Sequence, residues 1–149
     1  MMVEADYEDL LKLFNKHKVK YCVVGAFALG FYGHPRFTKD MDLLIEPSLE
    51  NGKKIIKALQ DFGFSSLKIT EKDFIQEKEV IQLGYEPVRI DLLTSIESCT
   101  FKTVWKHKKQ GKYGKTKVYF IGLDDLVKNK KAVGRKQDQV DLDLLRKKK

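Results

Sequence analysis

The chain has 149 residues, the length of one domain able to bury its own core. With 42% hydrophobic and 34% charged residues and only three prolines, its composition is that of a folded soluble domain and excludes a disordered tail. The net charge of +8 is unevenly spread: residues 1–101 carry 13 Lys/Arg against 16 Asp/Glu, and residues 102–149 carry 16 against 5, so that the last third is strongly basic. Such a balance suits either a polyanionic partner, such as RNA or a triphosphate, or a solvated lysine-rich surface.

In chain order, Tyr7, Leu10, Leu11 and Phe14 recur at helical spacing and predict a helix over 4–16, with Asp6 as its N-cap. Residues 20–25 (KYCVVG) read as a buried strand ending in glycine, and 26–33 as a short helix closed by Gly33. A loop (HPRFTKD) follows, because Pro35 biases His34 away from helix. Residues 41–45 read as a strand stopped by Pro47, and 49–61 as a helix with Leu49, Ile55, Ile56, Leu59 and Phe62 on its apolar side. Strands are expected at 64–69, 79–83 and 88–93 and a helix at 101–108. A turn containing Gly111 and Gly114 then leads to a strand at 117–121. Two helices, 123–131 and 138–147, hinged near Gly134, complete a single α+β domain over 1–149 with a mixed sheet flanked by helices.

No apolar run approaches the ~20 residues of a membrane span. The acidic, amphipathic N-terminus lacks the basic start and apolar centre of a signal peptide, so a cytoplasmic location is expected and no membrane partner. Cys22 sits in an apolar run as a buried small hydrophobe. Cys99 is distant from it, and the three histidines do not pair at ligand spacing, so neither a disulfide nor a zinc site is expected.

The chemistry concentrates in three aspartates. Asp40 and Asp42 stand two apart at the start of a strand, where side chains alternate faces, so both carboxylates point the same way. Paired hard-oxygen ligands suit magnesium or manganese. Asp91 sits in a second strand, VRIDLL, and an acid among apolar neighbours needs a partner. That partner is either a metal shared with Asp40 and Asp42 or a salt bridge to Arg89 or to a lysine elsewhere; with the Asp-x-Asp upstream, the metal is preferred. Gly25 and Ala26, where a strand turns into a helix, present backbone N–H groups to an anion fourteen residues ahead of Asp40.

The run G-A-x-A-L-x-x-x-G-x-x-R-x-T-x-D-x-D, from Gly25 to Asp42, resembles the signature of DNA polymerase beta-like nucleotidyltransferases, with Asp91 in RIDLLTSI matching the third carboxylate. It looks most like a minimal prokaryotic branch that includes abortive-infection nucleotidyltransferase toxins. The tail LVKNKKAVGRKQDQVDLDLL resembles that branch's terminal helices, with Lys128, Arg135 and Asp138 in register. The resemblance covers a core of about 20–94 and C-terminal helices of about 123–147. It departs at Ala26, where glycine or serine is usual, so a serine hydroxyl to phosphate is missing while the N–H remains.

The resemblance implies transfer of a nucleoside monophosphate from a nucleoside triphosphate to a hydroxyl of RNA, protein or a small molecule. Asp40, Asp42 and Asp91 would be catalytic and metal-holding. Gly25, Ala26, Arg36, Thr38, Lys128 and Arg135 would hold the nucleotide, although Lys128 and Arg135 could instead pair with Asp138 or Asp141. The alternative is a non-catalytic or regulatory nucleotide-binding half of a toxin–antitoxin pair with a cognate partner protein. The stretch WKHKKQGKYGK, 105–115, is expected to be a solvated loop, with nucleic-acid contact as its other reading.

Overall fold

The computed structural model describes residues 5–34, 40–64, 68–85 and 88–147. Helix α1 (Ala5–Lys16) buries Tyr7, Leu10, Leu11 and Phe14, the four residues of the apolar stripe; Asp6 lies inside its first turn rather than capping it. Strand β1 (Tyr21–Val24) is buried throughout, and α2 (Gly25–Phe31) leaves it without an intervening loop. Strand β2 (Asp40–Ile45) is followed by α3 (Leu49–Phe62). The Ser48 hydroxyl accepts the Asn51 N–H at 3.1 Å and so caps α3. At this first helical position Leu49 is exposed and not part of the apolar side.

The segment expected as a strand at 64–69 is not one where it is described; Thr70 leads instead into a 3-10 turn, Glu71–Phe74. Asp73 accepts the Thr70 N–H at 2.8 Å, which turns the chain and drops Phe74 into the core. Strands β3 (Val80–Tyr85) and β4 (Val88–Leu93) and helix α4 (Phe101–His107) follow. The expected strand at 117–121 is β6 (Thr116–Phe120), and much of the stretch expected as a loop is its antiparallel partner, β5 (Lys109–Tyr113). Gly111 makes β5 possible, because a Cβ there would lie 2.5 Å from the Phe31 ring. Helices α5 (Leu123–Val133) and α6 (Lys136–Lys147) meet at Gly134.

The six strands form one mixed sheet in the order β3-β4-β2-β1-β6-β5. Parallel contacts join β1 to β6 and β2 to β4; the other neighbours are antiparallel. Phe14 of α1 packs edge-on against Tyr21, and Asn15 accepts the Tyr21 hydroxyl proton at 2.9 Å, so α1 lies on the Tyr21 face of β1. Lys108 and Asp125 act electrostatically on Cys22, which places the end of α4 and the start of α5 on the opposite face. Burial pushes the Cys22 thiol up to about 12, in keeping with an inert core residue. Buried Asn51 ties α3 to the ends of β1 and β2, donating to the Lys20 and Glu46 carbonyls and accepting the Lys20 N–H at 2.9–3.1 Å. No described helix is long and apolar enough to cross a membrane.

Candidate active site

The register of the central strands assembles the carboxylates. Asp42 on β2 stands opposite Asp91 on β4 and opposite Val24 on β1, and Asp40 stands opposite Arg89. Strand alternation then puts Asp40, Asp42, Arg89 and Asp91 on one face. Met41 and Leu43 enter the core on the other face.

Gly25 closes this group from the third side. Its φ of +67° is a left-handed conformation that side chains rarely adopt, and a Cβ on it would lie 2.6 Å from Asp42 Oδ2. Only a residue without a side chain lets the β1–α2 turn lie against the Asp42 carboxylate. Ala26 follows inside the first turn of α2.

Arg89 forks onto Asp91, with Nε and an Nη donating to its two oxygens at 3.0 Å each, and comes within 3.7 Å of Asp40. Its backbone is fixed from α1: the Tyr7 hydroxyl donates to the Arg89 carbonyl at 3.1 Å and accepts the Arg89 N–H at 3.2 Å. The hydrogen bond to Asp91 raises the Arg89 pKa further, keeping it a permanent cation. Of the partners the sequence offered Asp91, the structure therefore displays the Arg89 salt bridge.

Asp42 is left with the weakest compensation. Burial first, then the charges of Asp91 and Asp40, push its carboxyl up to about 6, while Arg89 and Arg135 pull it down. Arg135 thus reaches this group from the α5–α6 turn, 93 residues from Asp42 in sequence but close enough for its charge to act on it. It is also paired with Asp138, as the sequence allowed: Asp138 Oδ2 accepts from Arg135 Nε at 2.8 Å and from its backbone N–H at 3.1 Å. Arg135 remains 72% exposed while its anchor is 3% exposed, so the guanidinium is held at its base and open at its tip.

Lys128 is exposed on α5, and its charge acts on Cys99. The lysine that sequence reasoning missed is Lys130, buried two residues on. It donates to Asp141 at 2.8 Å and lies 3.6 Å from Asp138, so one ammonium joins α5 to α6 and supports the anchor of Arg135. The spacing of Asp138 and Asp141 on one helical face was the available signal. Arg36 and Thr38 lie outside the described residues.

Do these residues fit a divalent cation? Asp40 and Asp42 offer hard oxygens, and the raised pKa of Asp42 marks surplus negative charge that a cation would relieve. Asp91 is committed to Arg89, and among the described residues no three His, Cys, Asp or Glu side chains form a ready metal cluster. The donor chemistry fits; full convergence requires Arg89 to let go of Asp91.

Neither a protein-family model nor a curated protein sequence matches the chain. Solved structures do. A nucleotidyltransferase candidate from Thermotoga maritima superposes with a TM-score of 0.63 at 13% identity, covering 99% of this chain and 97% of that one. The lincosamide antibiotic adenylyltransferase LnuA, solved with lincomycin bound, superposes with a TM-score of 0.60 at 16% identity, covering 97% of each chain. The chain has the nucleotidyltransferase fold, a mixed sheet flanked by helices.

Proposed function

We propose that the chain is a nucleotidyltransferase that moves a nucleoside monophosphate from a nucleoside triphosphate to an acceptor hydroxyl. The observation that carries this is the three-strand convergence at Asp42, which stands opposite Asp91 of β4 and lies against the Gly25 turn at the end of β1. LnuA, an adenylyltransferase of the same fold, lends it support. Asp40 and Asp42, joined by Asp91, would hold magnesium or manganese, which when bound supplies positive charge to the phosphate oxygens. The protein's own share is placement and electrostatics. The N–H groups at Gly25 and Ala26 face the outer phosphates, and Arg135 meets them from the α5–α6 turn; Arg36 and Thr38 are assigned to the same phosphates and Lys128 to the periphery. The acceptor oxygen, its proton drawn toward Asp91, attacks the α-phosphorus as the bond to the β-phosphate breaks and pyrophosphate leaves.

Incubation with each labelled nucleoside triphosphate, magnesium and either total RNA, lysate protein or small hydroxylated acceptors tests this reading. Label should transfer in the wild type and vanish in Asp42→Ala. No transfer from any of the four triphosphates overturns it. The fork of Arg89 onto Asp91 favours the second reading, a nucleotide-binding half of a toxin–antitoxin pair, which predicts binding without turnover and a stable complex with a cognate protein.

A further inference from the structure

The outward face of the β5–β6 hairpin carries a charge pattern that stability does not explain. Lys112 and Lys117 are direct cross-strand partners, as are Gln110 and Tyr119 one pair further along. The alternate residues Tyr113, Thr116, Val118 and Phe120 are buried, so the two lysines share the exposed face. Like charges directly opposite one another destabilise a ladder.

The same face collects more cations through two aromatic rings. Trp105 meets Tyr119 edge-on at 5.3 Å between centroids. The Lys108 ammonium lies 4.0 Å from the Trp105 centroid and 5.5 Å from that of Tyr119; the Lys117 ammonium lies 5.3 Å from Tyr119, and that of Lys20 lies 6.0 Å from Trp105. Among the described residues only Lys20 of this set ion-pairs with a carboxylate, Glu46 at 3.5 Å. Lysines on a sheet edge discourage pairing with another chain, which accounts for Lys109 and Lys112 on β5. It does not account for Lys117, whose carbonyl already accepts from the Asn15 side chain at 2.7 Å, or for Lys108, which lies outside the strands.

We propose that this patch, formed by Lys20, Lys108, Lys112 and Lys117 around Trp105 and Tyr119, is a docking surface for a single nucleic-acid strand. Ammonium groups neutralise phosphates with little demand on geometry, so several of them can serve a flexible, repeating phosphate backbone. Lys20, Lys108 and Lys117 surround the two rings and Lys112 adds a fourth charge across the ladder from Lys117, more ammonium groups than a single anion needs. Register also ties the patch to the carboxylates: Phe120 pairs with Val23 and Asp42 with Val24, so Tyr119 and Asp42 share a sheet face. The docking surface stands on its own whether or not nucleotide is transferred.

Trp105 is the only tryptophan, which makes its fluorescence a direct probe of the patch. The full chain is titrated with a short single-stranded oligouridylate RNA at about 50 mM salt, followed by a salt series. The expected result is a saturable change in Trp105 emission, with the logarithm of affinity falling against that of salt with a slope of about −2 to −3, given ≈ 0.7 per phosphate contact on single strands. The double variant Lys112→Glu/Lys117→Glu, altered only at exposed positions, should bind at least tenfold more weakly while keeping the wild-type circular dichroism spectrum. Unchanged RNA affinity in that variant overturns the proposal, as does an absence of RNA binding by both emission and anisotropy. Equal binding of polyglutamate overturns it too, since the surface would then recognise acidic protein and nucleic acid alike.

Discussion

Replacing Asp42 with asparagine removes a charge that the fold accommodates poorly. In the native protein this carboxyl titrates near 6, against an ordinary value near 3.8, because burial and the neighbouring Asp91 and Asp40 disfavour its ionised form. The folded state therefore holds the proton over a range in which the unfolded chain has already lost it. Stability falls as pH rises from about 4 to about 6 and stays low above that, the reverse of the usual salt-bridged aspartate. A rise of roughly two units corresponds to about 3 kcal/mol once both states are ionised. Asp42→Asn should recover most of it at pH 8, raising the melting temperature by about 5–10 °C for a domain of this size. At pH 4, where wild-type Asp42 is protonated in the folded state, the two proteins should melt together. Scanning calorimetry of both proteins at pH 4, 6 and 8 in chelator measures the difference. A variant that melts no higher than wild type at pH 8 would refute the reasoning, and so would a gain undiminished at pH 4. Millimolar magnesium at pH 8 should narrow the gap by stabilising only the wild type, if the carboxylates hold the ion.

Gly25→Ala places a side chain at a φ of +67° and against Asp42 Oδ2, so a loss of about 1–3 kcal/mol in thermal stability is expected, with transfer activity reduced beyond that loss. Lys130→Met leaves Asp138 and Asp141 buried without their shared cation and should cost about 3–5 kcal/mol in urea unfolding, with Lys130→Met/Asp138→Asn/Asp141→Asn recovering part of it. Arg89→Gln withdraws a cation that lowers the Asp42 pKa; carboxyl NMR titration should place Asp42 above its wild-type midpoint near 6, and an unchanged midpoint would show that Arg89 is not felt there.

Where one physical rule governed a segment, the sequence was sufficient. Apolar spacing located α1, and strand alternation put Asp40 and Asp42 on one face before any pairing was known. Strand β5 escaped because Lys-Gln-Gly-Lys-Tyr has no strand signature of its own; it is extended because β6 pairs with it and because glycine leaves room for Phe31 and Phe120. Ile69 and Thr70 look like strand residues, yet the Asp73 side chain captures the Thr70 N–H and winds the chain into a 3-10 turn, a local competition that β-propensity does not register. Lys130 does not read as buried from its own helix; only the Asp138 and Asp141 spacing hinted at it, since its burial depends on α5 and α6 meeting across Gly134 so that two carboxylates enclose it.

The same network bears on how the site is organised. Arg135 lies beside a turn between two helices, where a long exposed side chain would ordinarily sample many rotamers at an entropic cost of up to about 2 kcal/mol on binding. Asp138 restrains it by taking both its Nε and its backbone N–H, and Asp138 is itself held by Lys130. The buried ion triad therefore spends folding stability on a cation presented toward Asp42 with part of that ordering cost already met. Arg89 is fixed at its backbone by Tyr7 and at its tip by Asp91. The two arginines differ in what holds them: Arg135 is anchored away from the carboxylate cluster it faces, whereas Arg89 is anchored by a member of it. A triphosphate with its cation should therefore leave Arg135 in place and release Arg89, and only the second arginine should change its partners between the empty and loaded states.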